Sequence, residues 1–117
     1  MRAVFDAAEH VFKISFKGSI SLNKSAVQQY LKPAVDKSIT DTTMRRASQK
    51  NCDALVDWTD ACHNYRHVSP DVEPKMPSEE LTVLLVSQGF SYVRWLVDLR
   101  RRYLVPASEY ASGGAIS

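Results

Sequence analysis

The residues whose types could do chemistry lie together in the middle of the chain, at positions 63 to 67 (His-Asn-Tyr-Arg-His). An imidazole changes its charge near neutral pH, so either histidine could accept or donate a proton. Arg66 could hold a phosphate group through its guanidinium. Helical spacing would place Asp60, His63 and His67 on neighbouring turns of one face.

The first interpretation of this segment is a solvated helix face. A row of polar residues runs opposite a mostly apolar seam, at steps of four and three: Asp53, Asp57, Asp60, Asn64 and His67. Any amphipathic helix shows such a row, and histidines near a helix C-terminus are favoured by the helix dipole. This interpretation leaves the chain as a non-catalytic helical interaction or dimerisation module.

The second interpretation is a metal-dependent hydrolase. Two histidines four residues apart can grip one Zn²⁺, and Asp60 would be a third ligand beside His63 and His67. The residue after His63 is Asn64, so the general base of a His-Glu-x-x-His helix is missing. The preferred expectation is therefore that the protein uses no metal and no other cofactor.

The third interpretation rests on a resemblance. A long helix that ends in this polar segment, a proline-rich break and a second long helix together resemble the HEPN superfamily of small helical proteins. Many members carry an Arg-Asn pair followed a few residues later by His. Asn64 and His67 match that pattern, whereas His63 stands at the Arg position and the spacing is one residue short. The resemblance implies a homodimer that binds RNA or cleaves it as a metal-independent endoribonuclease. It also implies a toxin–antitoxin or phage-defence setting, in which some members are non-catalytic protein partners.

The same resemblance implies a role for each polar residue. His67 would act as general base or acid, and Arg66 or His63 would hold the scissile phosphate. Asn64 would orient the substrate or His67. Three arginines further along the chain would widen the positive surface for substrate: Arg100, Arg101 and Arg102.

Composition limits these alternatives only broadly. The 117 residues are 44% hydrophobic and 24% charged. This composition is typical of one packed domain rather than of a disordered chain. The net charge of +2 is too small to argue for nucleic acid by itself. The sequence shows no signal-peptide layout and no apolar run long enough for a membrane span, so a reduced, cytoplasmic protein is expected.

Four helical segments must position these residues. Apolar spacing predicts a helix over residues 3–16, although alternation over 11–22 leaves a hairpin open. A second helix follows Asn23 or Ser25 and contains Pro33. Two long helices are then predicted at about 42–68 and 78–104, joined by a proline-rich connection. The expected fold is all-α, an up-and-down bundle in one domain over 1–105, with 106–117 as a flexible tail.

The two long helices differ in their apolar patterns. The third helix carries one seam, which contains Met44, Ser48, Asn51, Leu55, Trp58, Cys62 and Tyr65. The fourth carries two stripes, the second formed by Val86, Phe90, Val93 and Val97. A helix that is apolar on two sides needs two partners, so either the N-terminal helices or a second subunit must cover the second stripe. Gly89 would let another helix cross closely.

Overall fold

The computed structural model describes residues 1–17, 21–66 and 76–104, and most of these residues are helical, with no β-strand among them. The helices are α1 (Arg2–Ser15), α2 (Lys24–Ala26), π1 (Val27–Leu31), α3 (Lys32–Ser38), α4 (Thr42–Arg66), α5 (Glu79–Leu99) and π2 (Arg100–Leu104). Because α2, π1 and α3 run on without a break, as do α5 and π2, the described residues form four helical rods. The predicted all-α bundle with two long helices is confirmed.

Side-chain caps define where three of these rods begin. Asn23 accepts a hydrogen bond from the backbone N–H of Ala26, at 2.9 Å. Asp41 does the same for Met44, at 2.8 Å, and the Ser78 hydroxyl accepts from Leu81 N–H, at 3.3 Å. Each cap satisfies one of the N–H groups that a first helical turn leaves unpaired. Glu79 and Glu80 add negative charge to the positive end of α5.

Pro33 is accommodated without breaking the second rod. The wide turn π1 directly precedes it, and the Lys32 N–H donates to the Val27 carbonyl five residues earlier. A proline inside a regular α-helix collides with the carbonyl four residues before it and removes a donor. A wider turn at that point relieves the collision, as π-bulges do elsewhere. The helix therefore continues to Ser38 rather than splitting at Lys32.

The core is centred on Trp58 of α4. Its ring stacks on Phe5 of α1, with ring centroids 5.7 Å apart, and lies 5.5 Å from the ring of Tyr92 on α5. The indole Nε1 donates to the Leu85 carbonyl of α5, at 2.8 Å. A buried indole needs such a partner, because an unsatisfied N–H costs free energy away from water. One side chain thus joins the two long helices and α1.

Gly89 lies where α1, α4 and α5 meet. A Cβ atom at this position would come within 2.6 Å of Val4 Cγ2 and 2.7 Å of Trp58 Cζ2. The close helix crossing predicted at Gly89 is therefore present, and the helix that crosses is α1. This packing buries Gly89 on one flank of α5. On its second stripe, Phe90 and Val97 are exposed, whereas Val86 and Val93 are partly packed against the core.

Two sequence predictions need correction. The seam of α4 is buried only from its middle onward, because Met44 is 54% exposed and Asn51 is also exposed. The first half of α4 lies beside α3, whose Asp36 accepts a hydrogen bond from the Gln49 amide. The hairpin alternative fails for residues 11–15, which belong to α1.

Several predictions concern residues outside the described ranges. These are the end of the third helix at 67–68, most of the proline-rich connection, residues 18–20 of the hairpin alternative and the tail over 106–117. Within the described ranges, no helix is long and apolar enough to cross a membrane.

Candidate functional site

The polar segment predicted to carry chemistry lies at the C-terminal end of α4. His63 and Asn64 are exposed in its last turns, and Arg66 is its final residue. His67 lies outside the described residues. Adjacent residues on a helix diverge by about 100°, so His63 and Asn64 point to different sides of α4. The part of the segment that is described supplies an exposed imidazole and an exposed amide.

The geometry offers little to a metal ion. Asp60 is exposed one turn before His63, as predicted. Among residues 1–17, 21–66 and 76–104, no group of three histidine, cysteine or acidic side chains could share an ion. The third residue of the predicted set, His67, lies beyond these ranges.

The structure separates the predicted substrate-binding arginines from the polar segment. Helices α4 and α5 run antiparallel, so π2 lies beside the start of α4, where Met44 and Ser48 face it across a groove. His63 lies 19 residues after Met44, which corresponds to roughly 28 Å along the helix axis. Within one copy of the chain, Arg101 and Arg102 therefore cannot share a substrate phosphate with His63.

The arginines border a shallow groove instead. It has a volume of about 500 Å³, and it is lined by Ile39, Met44, Ser48, Trp95, Asp98, Leu99, Arg101, Arg102 and Tyr103. Arg101 and Arg102 are exposed, while Arg100 is partly buried and its Nε has no hydrogen-bond partner among the described residues. Cations at a helix C-terminus are stabilised by the helix dipole, which accounts for their position without a ligand.

The most distinctive surface lies on α5, along a row that we call the apolar stripe: Val83, Val86, Phe90, Val93 and Val97. Val83 is 61% exposed, Phe90 is 66% exposed and Val97 is 40% exposed, while Val86 and Val93 are half-buried. The residues alternate at steps of three and four, which is the spacing of a helix–helix seam. Single exposed apolar residues are ordinary, whereas several exposed apolar residues aligned on one helix face are typical of interaction surfaces.

Opposite charges border the apolar stripe at its two ends. Glu79 precedes Val83 by four residues, and Arg101 follows Val97 by four residues. Both side chains are exposed, and neither is joined to another described residue by a salt bridge. Phe90 lies midway, eleven residues from each. The order along this face is therefore acid, two valines, phenylalanine, two valines, base.

The two cysteines do not provide a reactive thiol. Cys52 and Cys62 are both fully buried. Burial raises the pKa of the Cys52 thiol to about 12, so the thiolate needed for nucleophilic attack is absent near neutral pH. Burial also raises the pKa of the Tyr92 hydroxyl, to which Asp57 adds.

Part of the apolar stripe was visible in the sequence. The spacing of Val86, Phe90, Val93 and Val97 predicts a second apolar face, but it does not show how much of that face α1 covers. Val83 extends the same spacing by one step and was missed. Once the stripe is known to be exposed, the sequence also shows that Glu79 and Arg101 lie at equal distances from Phe90.

Comparison with known proteins does not identify the chain. It matches no family model, no curated protein and no solved structure.

Proposed function

We propose that this protein is a non-catalytic helical module that pairs two copies of itself through the apolar stripe of α5. The observation that carries the proposal is the exposure of Val83, Phe90 and Val97 on one helix face at seam spacing. Water contact with these side chains is unfavourable, and a second apolar helix face would remove it. The chain's own N-terminal helix packs against α5 at Gly89 and does not bury Val83, Phe90 or Val97.

A second copy fits this surface because the surface is complementary to itself. A symmetric dimer brings the same patch of both subunits together, so each feature must face its complement. The acidic and basic ends of the stripe satisfy that condition, and Phe90 lies at its middle. A small domain hides a modest fraction of its surface alone, so pairing adds burial that one copy lacks.

The contribution of Phe90 can be worked out from its exposure. Full burial of a Phe side chain is worth up to about 3 kcal/mol. Because 66% of this side chain is exposed, pairing gains about 2 kcal/mol per copy and about 4 kcal/mol per dimer. This corresponds to a factor of about 1,000 in the dissociation constant.

Sedimentation velocity of wild type and two matched variants tests the proposal. Phe90→Glu puts a charge in the middle of the stripe and is expected to give a monomer. Leu84→Glu is the control, since Leu84 is 53% exposed on the same helix but lies about 120° around it from Phe90. Leu84→Glu should sediment like wild type. A monomeric wild type, or equal effects of the two variants, would overturn the proposal.

The second candidate function is the one implied by the HEPN resemblance, binding or cleavage of RNA. It is favoured by the exposure of His63 and Asn64 at the end of α4, next to Arg66. Incubation with total RNA in EDTA, beside His67→Ala and His63→Ala, tests it. Cleavage that survives chelation and is lost in the variants supports a metal-independent endoribonuclease. No cleavage by wild type would contradict the endoribonuclease activity.

A further inference from the structure

We infer that the two copies pair antiparallel along α5, with a twofold axis at Phe90, so that the two α4 ends lie apart at opposite ends of the dimer. The inference rests on the proposed self-association and adds its orientation and register. It depends on the order of residues along the apolar stripe and on the direction in which α4 packs against α5.

The charges at the ends of the stripe favour one orientation of the two α5 helices. In a parallel pair, Glu79 would face the second copy's Glu79, and Arg101 would face its Arg101. Both contacts would be repulsive. In an antiparallel pair, each Glu79 lies beside the second copy's Arg101, and like charges are far apart. Charge pairs that flank an apolar seam set partner orientation in this way.

The apolar residues favour one register of the two α5 helices. Glu79 and Arg101 are each eleven residues from Phe90, and Val83 and Val97 are each seven residues from it. An antiparallel pair with its axis at Phe90 therefore brings Val83 of each copy next to Val97 of the other. The two Phe90 rings meet on the axis. A shift of one turn in either direction would separate the charges and leave one valine uncovered.

This orientation has a consequence for the polar ends of α4. The indole of Trp58 contacts α5 at Leu85 and Gly89, and His63 lies five residues beyond Trp58. His63 is therefore level with the first turns of α5, roughly 12 Å along the helix from Phe90. In the antiparallel dimer the two His63 side chains lie about 25 Å apart along the axis, whereas a parallel dimer would bring both to one end.

Cysteine cross-linking of the full chain tests the orientation. The variants are Val83→Cys, Val97→Cys and Phe90→Cys, all at exposed positions, with folding checked by circular dichroism. Wild type, whose own cysteines are buried, is the control for background. One variant carries an affinity tag, so that a mixed disulfide dimer is recognised by its mass. Oxidation of a mixture of Val83→Cys and Val97→Cys should give mixed dimers, and either variant alone should give at least tenfold less cross-linked product.

The outcomes separate this inference from the proposal on which it rests. Phe90→Cys forms a self-disulfide in either orientation, so a cross-link at this position shows pairing along the stripe but not its orientation. Self-disulfides of Val83→Cys, with no mixed dimer, mean a parallel pair and overturn the inference while pairing stands. Phe90→Cys that cross-links without any product from the other two variants overturns the register. No cross-link in any variant, with a monomeric wild type, overturns the proposed function itself.

Discussion

Substitution of Gly89 by alanine tests whether α1, α4 and α5 meet as closely as described. The new methyl group would lie 2.6 Å from Val4 Cγ2 and 2.7 Å from Trp58 Cζ2, where carbon atoms in contact are normally about 3.5 to 4.0 Å apart. Both neighbours are stiff, since valine is branched at Cβ and the indole ring is rigid. The Trp58 ring is also held by its hydrogen bond to Leu85. The helices must therefore separate, or Trp58 must leave its position.

Two opposing effects set the size of the change. Alanine favours the helix over glycine by about 1 kcal/mol. Overpacking in a well-packed core costs about 1 to 3 kcal/mol, and contact with two rigid groups argues for the upper end. The free energy of unfolding should therefore fall by about 2 kcal/mol, which is a drop of about 8 °C in Tm for a domain of this size.

Urea unfolding at fixed protein concentration, followed by tryptophan fluorescence and circular dichroism, measures this difference. The concentration must be fixed because the proposed pairing would contribute to the apparent stability. Ser87→Ala is the control, since Ser87 is exposed on the same helix and its change should stay within about 0.5 kcal/mol. A Gly89→Ala protein as stable as wild type, or more stable, would show that the three helices do not meet at this glycine.

Three further predictions address charge, the core and pH. Glu79→Arg and Arg101→Glu should each raise the dimer dissociation constant about fivefold, because exposed ion pairs are worth about 0.2 to 1 kcal/mol each. The double variant should restore the wild-type constant. A double variant in which sedimentation equilibrium shows the two losses of affinity to be additive would contradict the pairing of these charges. Trp58→Phe keeps an aromatic ring but loses the buried hydrogen bond, so unfolding in urea should need about 1 to 3 kcal/mol less free energy; an unchanged midpoint would count against this contact. The pKa of Cys52 is about 12 in the folded protein and lower in the unfolded chain, so the free energy of unfolding should fall as pH rises from about 9 to 12. Cys52→Ala should lose that part of the pH dependence. If the free energy of unfolding falls equally steeply with pH in the variant and in wild type, the thiol does not contribute to it.

Local signals in the sequence predicted much of the fold. Asn, Asp and Ser favour the position before a helix, and Asn23, Asp41 and Ser78 each accept the capping hydrogen bond that their residue types predict. Trp58 and Cys62 were expected in the core and are buried. These predictions succeed because caps and apolar spacing act within one helix, where neighbouring residues alone determine the structure.

The errors arise where a distant helix decides the outcome. Met44 continues the seam spacing of α4, yet it is 54% exposed, because the first turns of α4 face the groove beside π2 rather than a packed helix. The wide turn before Pro33 was not predicted either, since a proline in a helical pattern equally suggests a break. Which helix covers which face depends on how the rods dock, and a single sequence does not encode that in any local pattern.

For the candidate site, too, the sequence predicts features within one helix but not those that depend on how the helices pack. Spacing along α5 predicted the second apolar stripe, but only the docking of α1 shows that Phe90 and Val97 remain exposed. The arginines of π2 were grouped with the polar segment of α4 by their chemistry. The antiparallel packing of the two long helices places them at the far end of the bundle.

An isotope-filtered NOE experiment on a mixture of ¹³C-labelled and unlabelled protein tests whether two copies pair through the apolar stripe. It detects only contacts between the two copies. We predict NOEs between the Phe90 ring protons of one copy and the methyl groups of Val86 and Val93 of the other, and between Val83 and Val97 methyl groups. Intermolecular NOEs from other surfaces, or none at concentrations where the protein sediments as a dimer, would contradict pairing through the apolar stripe.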